Sequence, residues 1–259
     1  MQRLYPIPWR IAHRGARDQA PENTRAAFDR ALDYPIDGIE LDVRMSADDA
    51  PVIFHDDTLR RVTGRRTPLE ELSLTQLEGL DWGGWYHPNF SGEPLLTLAQ
   101  TLAWFGPRTR LMIEIKSTPA HQRNGHAARL TRRVIDLLAG MPQSVPADHI
   151  FILSFDPRVL RLAHELAPQW RYVINAPEFS PHWVMALPPD QTAYLWAIDV
   201  RIGRLSPVLA GWAKARGLRV FTYTCNGPRQ VHKALRLGVD AVLSDRPGWL
   251  THFLDNIKS

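Results

Sequence analysis

Cysteine is nearly absent from this chain of 259 residues, where Cys225 stands alone. A single thiol excludes an internal disulfide and a cysteine-built metal cluster, and it suits the reducing cytosol. Long hydrophobic runs are missing as well. No stretch approaches the roughly 20 apolar residues needed to cross a bilayer. The opening segment, with Pro6, Pro8 and Arg10, lacks the apolar core of a signal peptide. A soluble, cytoplasmic protein without stable membrane insertion is expected. An excess of one charge sign is also lacking. The net charge is only +4 and the arginines are scattered, which argues against a nucleic-acid surface. A weakly basic cleft for anionic small molecules fits that balance. No internal repeat or low-complexity tract appears, and nothing in the sequence indicates an oligomeric state.

What is present is an alternation of short apolar runs with longer amphipathic ones. Strands are expected at 10–12, 38–43, 111–115, 150–154, 171–174, 195–199, 219–223 and 241–243. Helices are expected at 24–32, 97–105, 127–138, 157–166, 206–216 and 229–237. The first helix carries Ala27, Phe28, Ala31 and Leu32 on one face, with Asn23 placed to cap it. Alternation of this kind predicts a parallel sheet covered by helices. A further apolar run at 52–54 follows Val43 across the Asp48-Asp49 turn, a gap too short for a parallel crossover. It reads as the return strand of a hairpin that brings His55 back to the mouth of the sheet. Eight strands then remain, the number that closes a TIM (β/α)8 barrel. A doubly wound open sheet is the alternative. Residues 58–93 break the alternation and read as an insertion beside the site within a single domain spanning 1–259.

Charged residues stand inside several of the apolar runs. They are His13, Glu40 and Asp42, His55, and Glu114 with Lys116. Such groups cost several kcal/mol when buried without partners. Alternate strand residues face one side, so Glu40 and Asp42 share a face, as do Glu114 and Lys116. Three converging carboxylates repel one another unless a cation joins them. A single oxygen-preferring dication, Mg²⁺ or Ca²⁺, meets that need; ion pairs with Arg14, Arg44 and Lys116 are the alternative. Two histidines that titrate near neutrality can act as proton acceptor and proton donor. Arg14 offers a fork for phosphate and Lys116 a point charge. The other histidines, His87, His121, His126, His149, His164, His182, His232 and His252, read as structural or surface residues. Trp82, Trp85 and Tyr86 either roof the cleft or form a small core for the insertion. Cys225 reads as a buried small residue.

Taken in order, these segments resemble the glycerophosphodiester phosphodiesterase family. The resemblance rests on His13-Arg14-Gly15-Ala16, Pro21-Glu22-Asn23-Thr24, Ile39-Glu40-Leu41-Asp42-Val43, His55-Asp56, Glu114-Ile115-Lys116 and Ser154-Phe155. Tyr223-Thr224-Cys225-Asn226 and the run from Asp240 through Ser244-Asp245-Arg246-Pro247 look like its closing motifs. Each is weak alone; their ordered combination is specific and spans nearly the whole chain. The resemblance implies a metal-dependent barrel hydrolase that splits small-molecule glycerophosphodiesters into glycerol 3-phosphate and an alcohol. It implies Glu40, Asp42 and Glu114 as metal ligands, His13 and His55 as the acid–base pair, and Arg14, Lys116 and Tyr223 on the substrate. The chain departs from the family pattern at Tyr223, where tryptophan is frequent, and at Asp48-Asp49-Ala50, where an aspartate–glycine turn is common. Two other functions compete: a phospholipase-type phosphodiesterase on intact lipids, which needs an apolar or basic membrane-facing rim, and a non-catalytic anion-binding barrel. An amidohydrolase-type barrel lacks support, because no second histidine stands two residues after His13.

Overall fold

Nine strands form along the apolar runs: β1 (Trp9–His13), β2 (Gly38–Met45), β3 (Pro51–Ile53), β4 (Arg110–Ile115), β5 (Ile150–Ser154), β6 (Arg171–Asn175), β7 (Leu195–Arg201), β8 (Arg219–Tyr223) and β9 (Ala241–Ser244). They are seen in a computed structural model that describes residues 7–141 and 144–257; Pro6 of the opening segment lies outside these. The sheet order is β1-β9-β8-β7-β6-β5-β4-β2, and β1 pairs with β2 to close the ring. All eight of these strands run parallel to their neighbours. The closed TIM barrel is therefore the fold, and the open sheet is excluded. β3 runs antiparallel to β2, with Val43 opposite Ile53, as the short connection requires.

The helices are α1 (Arg25–Ala31), α2 (Arg60–Thr63), α3 (Leu74–Glu78), α4 (Leu98–Phe105), α5 (Pro119–Arg123), α6 (His126–Ala139), α7 (Pro157–Leu166), α8 (Pro189–Thr192), α9 (Pro207–Ala215), α10 (Pro228–Leu237) and α11 (Pro247–Asn256). Thr24, not Asn23, caps α1: its hydroxyl accepts from the Ala27 N–H. Asn23 instead adopts the left-handed conformation at φ 59°, which asparagine tolerates better than most residues.

Two apolar layers follow from strand alternation. Ile39, Leu41 and Val43 of β2 and Leu111, Ile113 and Ile115 of β4 point outward into the core shared with the helices. Ile11, Met112, Phe151, Val173, Ala197 and Phe221 point inward and fill the barrel. Trp9 and Trp196 stack at 5.8 Å against this inner layer near the strand starts. The lower barrel is thus packed with apolar side chains, capped at the strand starts by Arg110, Arg171 and Arg219 stacked on Trp9, Phe151 and Trp196, while the inward carboxylates and His13 stand at the opposite, C-terminal end.

Residues 58–93 hold α2, α3 and short 3₁₀ turns around their own apolar cluster, which includes Val52, Phe54, Leu59, Leu69, Leu77 and Trp82. Trp82 packs edge-on to Phe54 at 5.3 Å. Trp85 rests on that cluster beneath the Arg61 guanidinium. Of the two roles open to the aromatic trio, the structure favours the local core for Trp82 and Trp85, with Tyr86 edge-on to Trp85 at 5.9 Å, and none of the three lines the central cavity.

Candidate active site

The register of the first three barrel strands builds the site. His13 on β1 is level with Glu40 on β2, and Asp42 on β2 is level with Glu114 on β4. Residues level on adjacent parallel strands face the same side, so all four project into the mouth of the barrel. Ligand atoms of Glu40, Asp42 and Glu114 lie within 4.8 Å of one another. Lys116, two residues past Glu114, returns its Nζ to 2.7 Å from Asp42 Oδ1 and 2.6 Å from Glu114 Oε1. A cavity of about 330 Å³ opens above them, lined by His13, Arg14, Glu40, His55, Glu114, Lys116 and Tyr223 among others.

Each histidine has a carboxylate behind it. His13 Nδ1 is 2.6 Å from Asp245 Oδ1, and Asn226 Nδ2 donates to Asp245 Oδ2 at 2.7 Å. A carboxylate here can only accept, so Nδ1 carries the proton and Nε2 is left to face the cavity, 3.8 Å from Glu40 Oε2. His55 Nδ1 likewise lies 2.8 Å from Asp56 Oδ1, and Asp56 Oδ2 accepts from Arg61 Nε. Burial, reinforced by the Arg14 charge, holds His13 below the usual imidazole range, while Asp245 draws it upward. Against its own burial, Asp245 is drawn down to about 2 by His13, Arg17 and Asn226.

Arg14 occupies a turn that bends tightly away from β1, with Arg14 at φ 59° and Gly15 at φ 83°. A Cβ on Gly15 would sit 2.7 Å from the Ala27 backbone, so glycine is required both sterically and conformationally. The turn directs Arg14 Nε to 3.0 Å from Asp42 Oδ2 and Nη1 to 3.0 Å from Glu22 Oε1. Arg17 and Arg61 also reach Glu22, making it the hub of an arginine-rich wall.

The expected ion pairs form in part. Arg14 and Lys116 serve Asp42 and Glu114, whereas Arg44 turns away to Asp57 and the His55 carbonyl. Among the described residues Glu40 has no such partner: its Oε2 is buried without a hydrogen bond. Burial, with Asp42 and Glu114 beside it, raises Glu40 well above the carboxylate range. Asp42, though equally buried, is held well below that range by Arg14 and Lys116. With all three ionised, the trio is one positive charge short of balance against Arg14 and Lys116. Its all-oxygen donor set suits a hard dication, so the three carboxylates form a site able to hold a metal ion.

Several site residues have no role in the chemistry read from the sequence, and Asn23 has only that of a helix cap. Asp245, Asn226, Asp56, Glu22 and Asn23 stand inside the quoted motifs; Asn23 donates to Asp42 Oδ2 at 2.8 Å. Asn175 and Asp199 stand in none. Asn175 donates to Glu114 Oε2 at 3.1 Å. Asp199 is pushed well up by burial and by Glu114, and its Oδ1 is buried and without a partner among the described residues. Asn175 ends β6 and Asp199 stands two residues before the end of β7, so both lie near the C-terminal end of an apolar strand, as Glu114 does. Tyr223 lines the cavity with its hydroxyl buried and unpartnered.

The model of the Glycerophosphoryl diester phosphodiesterase family matches residues 13–249. The chain is 32% identical over 244 residues to YhdW of Bacillus subtilis, covering 93% of this chain and 95% of that protein. It is 28% identical over 250 residues to a glycerophosphodiester phosphodiesterase of Caldanaerobacter subterraneus subsp. tengcongensis, covering 94% and 96% of the two. Among solved structures, an Oleispira antarctica phosphodiesterase in complex with the product sn-glycerol-3-phosphate superposes with a TM-score of 0.84 at 28% identity, over 96% of this chain and 98% of that one. With the family model spanning the barrel from the His13 turn to the start of α11, the chain belongs to the glycerophosphoryl diester phosphodiesterase family.

Proposed function

We propose that this protein hydrolyses glycerophosphodiesters to glycerol 3-phosphate and an alcohol at the mouth of its barrel, with His13 and His55 exchanging the protons. The observation that carries this reading is the pair of carboxylate-backed imidazoles on one cavity with the acidic trio. Glu40, Asp42 and Glu114 would hold Mg²⁺ or Ca²⁺. Bound there, such an ion supplies Lewis-acid polarisation of a phosphoryl oxygen. Arg14 and Lys116 add two positive charges around the phosphodiester monoanion, and Tyr223 offers a hydroxyl to the glycerol end. One histidine takes the proton from the attacking oxygen, which is water or the neighbouring glycerol hydroxyl on the way to a cyclic phosphate. The other gives its proton to the departing alcohol as the phosphorus–oxygen bond breaks. Water is consumed once overall. Each transfer contributes roughly 10²–10⁴ in rate.

Residues 58–93 act as an insertion within one catalytic domain, a reading supported by their own small core resting on the hairpin strand. No described helix is long and apolar enough to cross a membrane. A cytoplasmic setting fits the lone thiol of Cys225, which is fully buried and pushed up to about 12 by that burial. The decisive assay presents diesters of glycerol with choline, ethanolamine, glycerol and inositol, each with Mg²⁺, Ca²⁺ or chelator. Metal-stimulated release of glycerol 3-phosphate is expected. Cleavage that chelator leaves untouched, or hydrolysis of intact lipids in preference to their deacylated forms, overturns the reading.

A further inference from the structure

Two histidines that the sequence placed in the structural background meet a carboxylate away from the central cavity. His121 is on α5 and His126 opens α6, both in the connection from β4 to β5. Glu70 reaches them from the 3₁₀ turn Leu69–Glu71 in the 58–93 segment. His121 Nε2 is 2.7 Å from Glu70 Oε1, and the two imidazole rings lie 4.4 Å apart between centroids. One donor atom from each of the three falls within 4.8 Å of the others. Both histidines are buried, at 8% and 7% exposure. Two polar atoms of the group, Glu70 Oε2 and His121 Nδ1, are buried and have no hydrogen-bond partner among the described residues.

We propose that Glu70, His121 and His126 form a second metal site, binding a transition-metal ion of the Zn²⁺ class through one carboxylate oxygen and two imidazole nitrogens. The donor set separates it from the acidic trio. Two imidazoles and a carboxylate are a recognised zinc combination, with a water in the fourth position, whereas three carboxylates suit Mg²⁺ or Ca²⁺. The local backbone brings the donors together. Thr118 caps α5 by accepting from the His121 N–H, and Gly125 at φ 73° turns the chain so that residue 126 returns beside residue 121. The Asn124 side chain holds the His126 N–H at 3.0 Å. Arg129 and Arg44 oppose a cation here, but each is engaged, Arg129 with Asp49 at 3.5 Å and Arg44 with Asp57. An ion at this point clamps the inserted segment to the barrel, a structural role independent of hydrolysis.

The test uses the full chain, stripped of metal and returned to saturating Mg²⁺. Zn²⁺ is then titrated against a chromophoric chelator, and Co²⁺ serves as the spectroscopic probe. One equivalent of Zn²⁺ at micromolar affinity or tighter is expected, with the intense visible Co²⁺ bands of four-coordinate geometry. Glu70→Gln and His126→Asn should each weaken Zn²⁺ at least tenfold and remove those bands, while Mg²⁺-supported turnover matches the wild type. The idea is overturned if wild type and variants bind Zn²⁺ equally, or if wild-type Co²⁺ shows only the weak spectrum of six-coordinate oxygen ligation. The wild-type Co²⁺ spectrum decides alone should a variant fold poorly.

Discussion

His13 and His55 present Nε2 to the cavity because Asp245 and Asp56 hold the opposite ring nitrogen. That arrangement makes Asp245 a positioning residue with a measurable signature. Its hydrogen bond and charge both draw His13 upward against burial. Asp245→Asn removes the charge and frees the ring to take the wrong tautomer. Turnover is expected to fall by about 10²–10⁴. Whichever limb of the kcat/KM profile reports His13 should move to lower pH, since the remaining influences of burial and Arg14 both lower it. Movement of the acidic limb identifies His13 as the base; movement of the alkaline limb identifies it as the acid. A full pH–rate profile of the variant checks this, and an unmoved profile would remove Asp245 from the mechanism.

Strand pattern and turn chemistry divide what could be read in advance from what could not. β2 and β4 were legible because Glu40 and Asp42 alternate with Ile39, Leu41 and Val43, and Glu114 with Ile113 and Ile115. Asn175 is uncharged and has no charged residue two positions away, so the pattern gave it no weight; Asp199 has Arg201 two positions on, the spacing that joins Glu114 to Lys116, and was within reach of the same argument. Asn23 and Thr24 are both competent caps, and sequence alone does not say which takes the left-handed position. The structure gives the cap to Thr24 and releases the Asn23 amide to Asp42. The Glu70–His121 contact spans 51 residues and depends on how the inserted segment folds back, which no local periodicity encodes. The turn between β1 and α1 shows how unequal local requirements are. Thr24→Ala removes one cap bond and should cost about 1 kcal/mol in urea unfolding. Gly15→Ala meets both a left-handed backbone and the Ala27 wall, and should cost more than about 2 kcal/mol. Equal midpoints for the two variants would contradict the geometry of this turn.

The closed barrel couples the acidic trio to the stability of the whole molecule, because its carboxylates stand on adjacent strands joined along six paired residues. Without a cation, Glu40 is a buried carboxyl whose folded pKa is raised by burial and by Asp42 and Glu114. The sign follows directly. The unfolded group ionises near the ordinary glutamate value, so its contribution is fully present below that pH and is lost as pH rises toward the folded pKa. Metal-free protein should therefore lose stability as pH climbs from about 4.5, and Glu40→Gln should flatten that loss while matching or exceeding wild-type Tm at pH 7. Adding the divalent ion reverses the ranking. At 100 times its Kd, a ligand bound only to the folded state adds about 2.7 kcal/mol, which for a domain of this size raises Tm by about 5–10 °C. Glu40→Gln should lose most of that rise together with most of its hydrolysis. Calorimetric scans of both proteins, with chelator and with Mg²⁺ or Ca²⁺, provide the check. A wild type indifferent to either ion, or a variant stabilised as strongly as the wild type, would show that the trio is held by Arg14 and Lys116 alone.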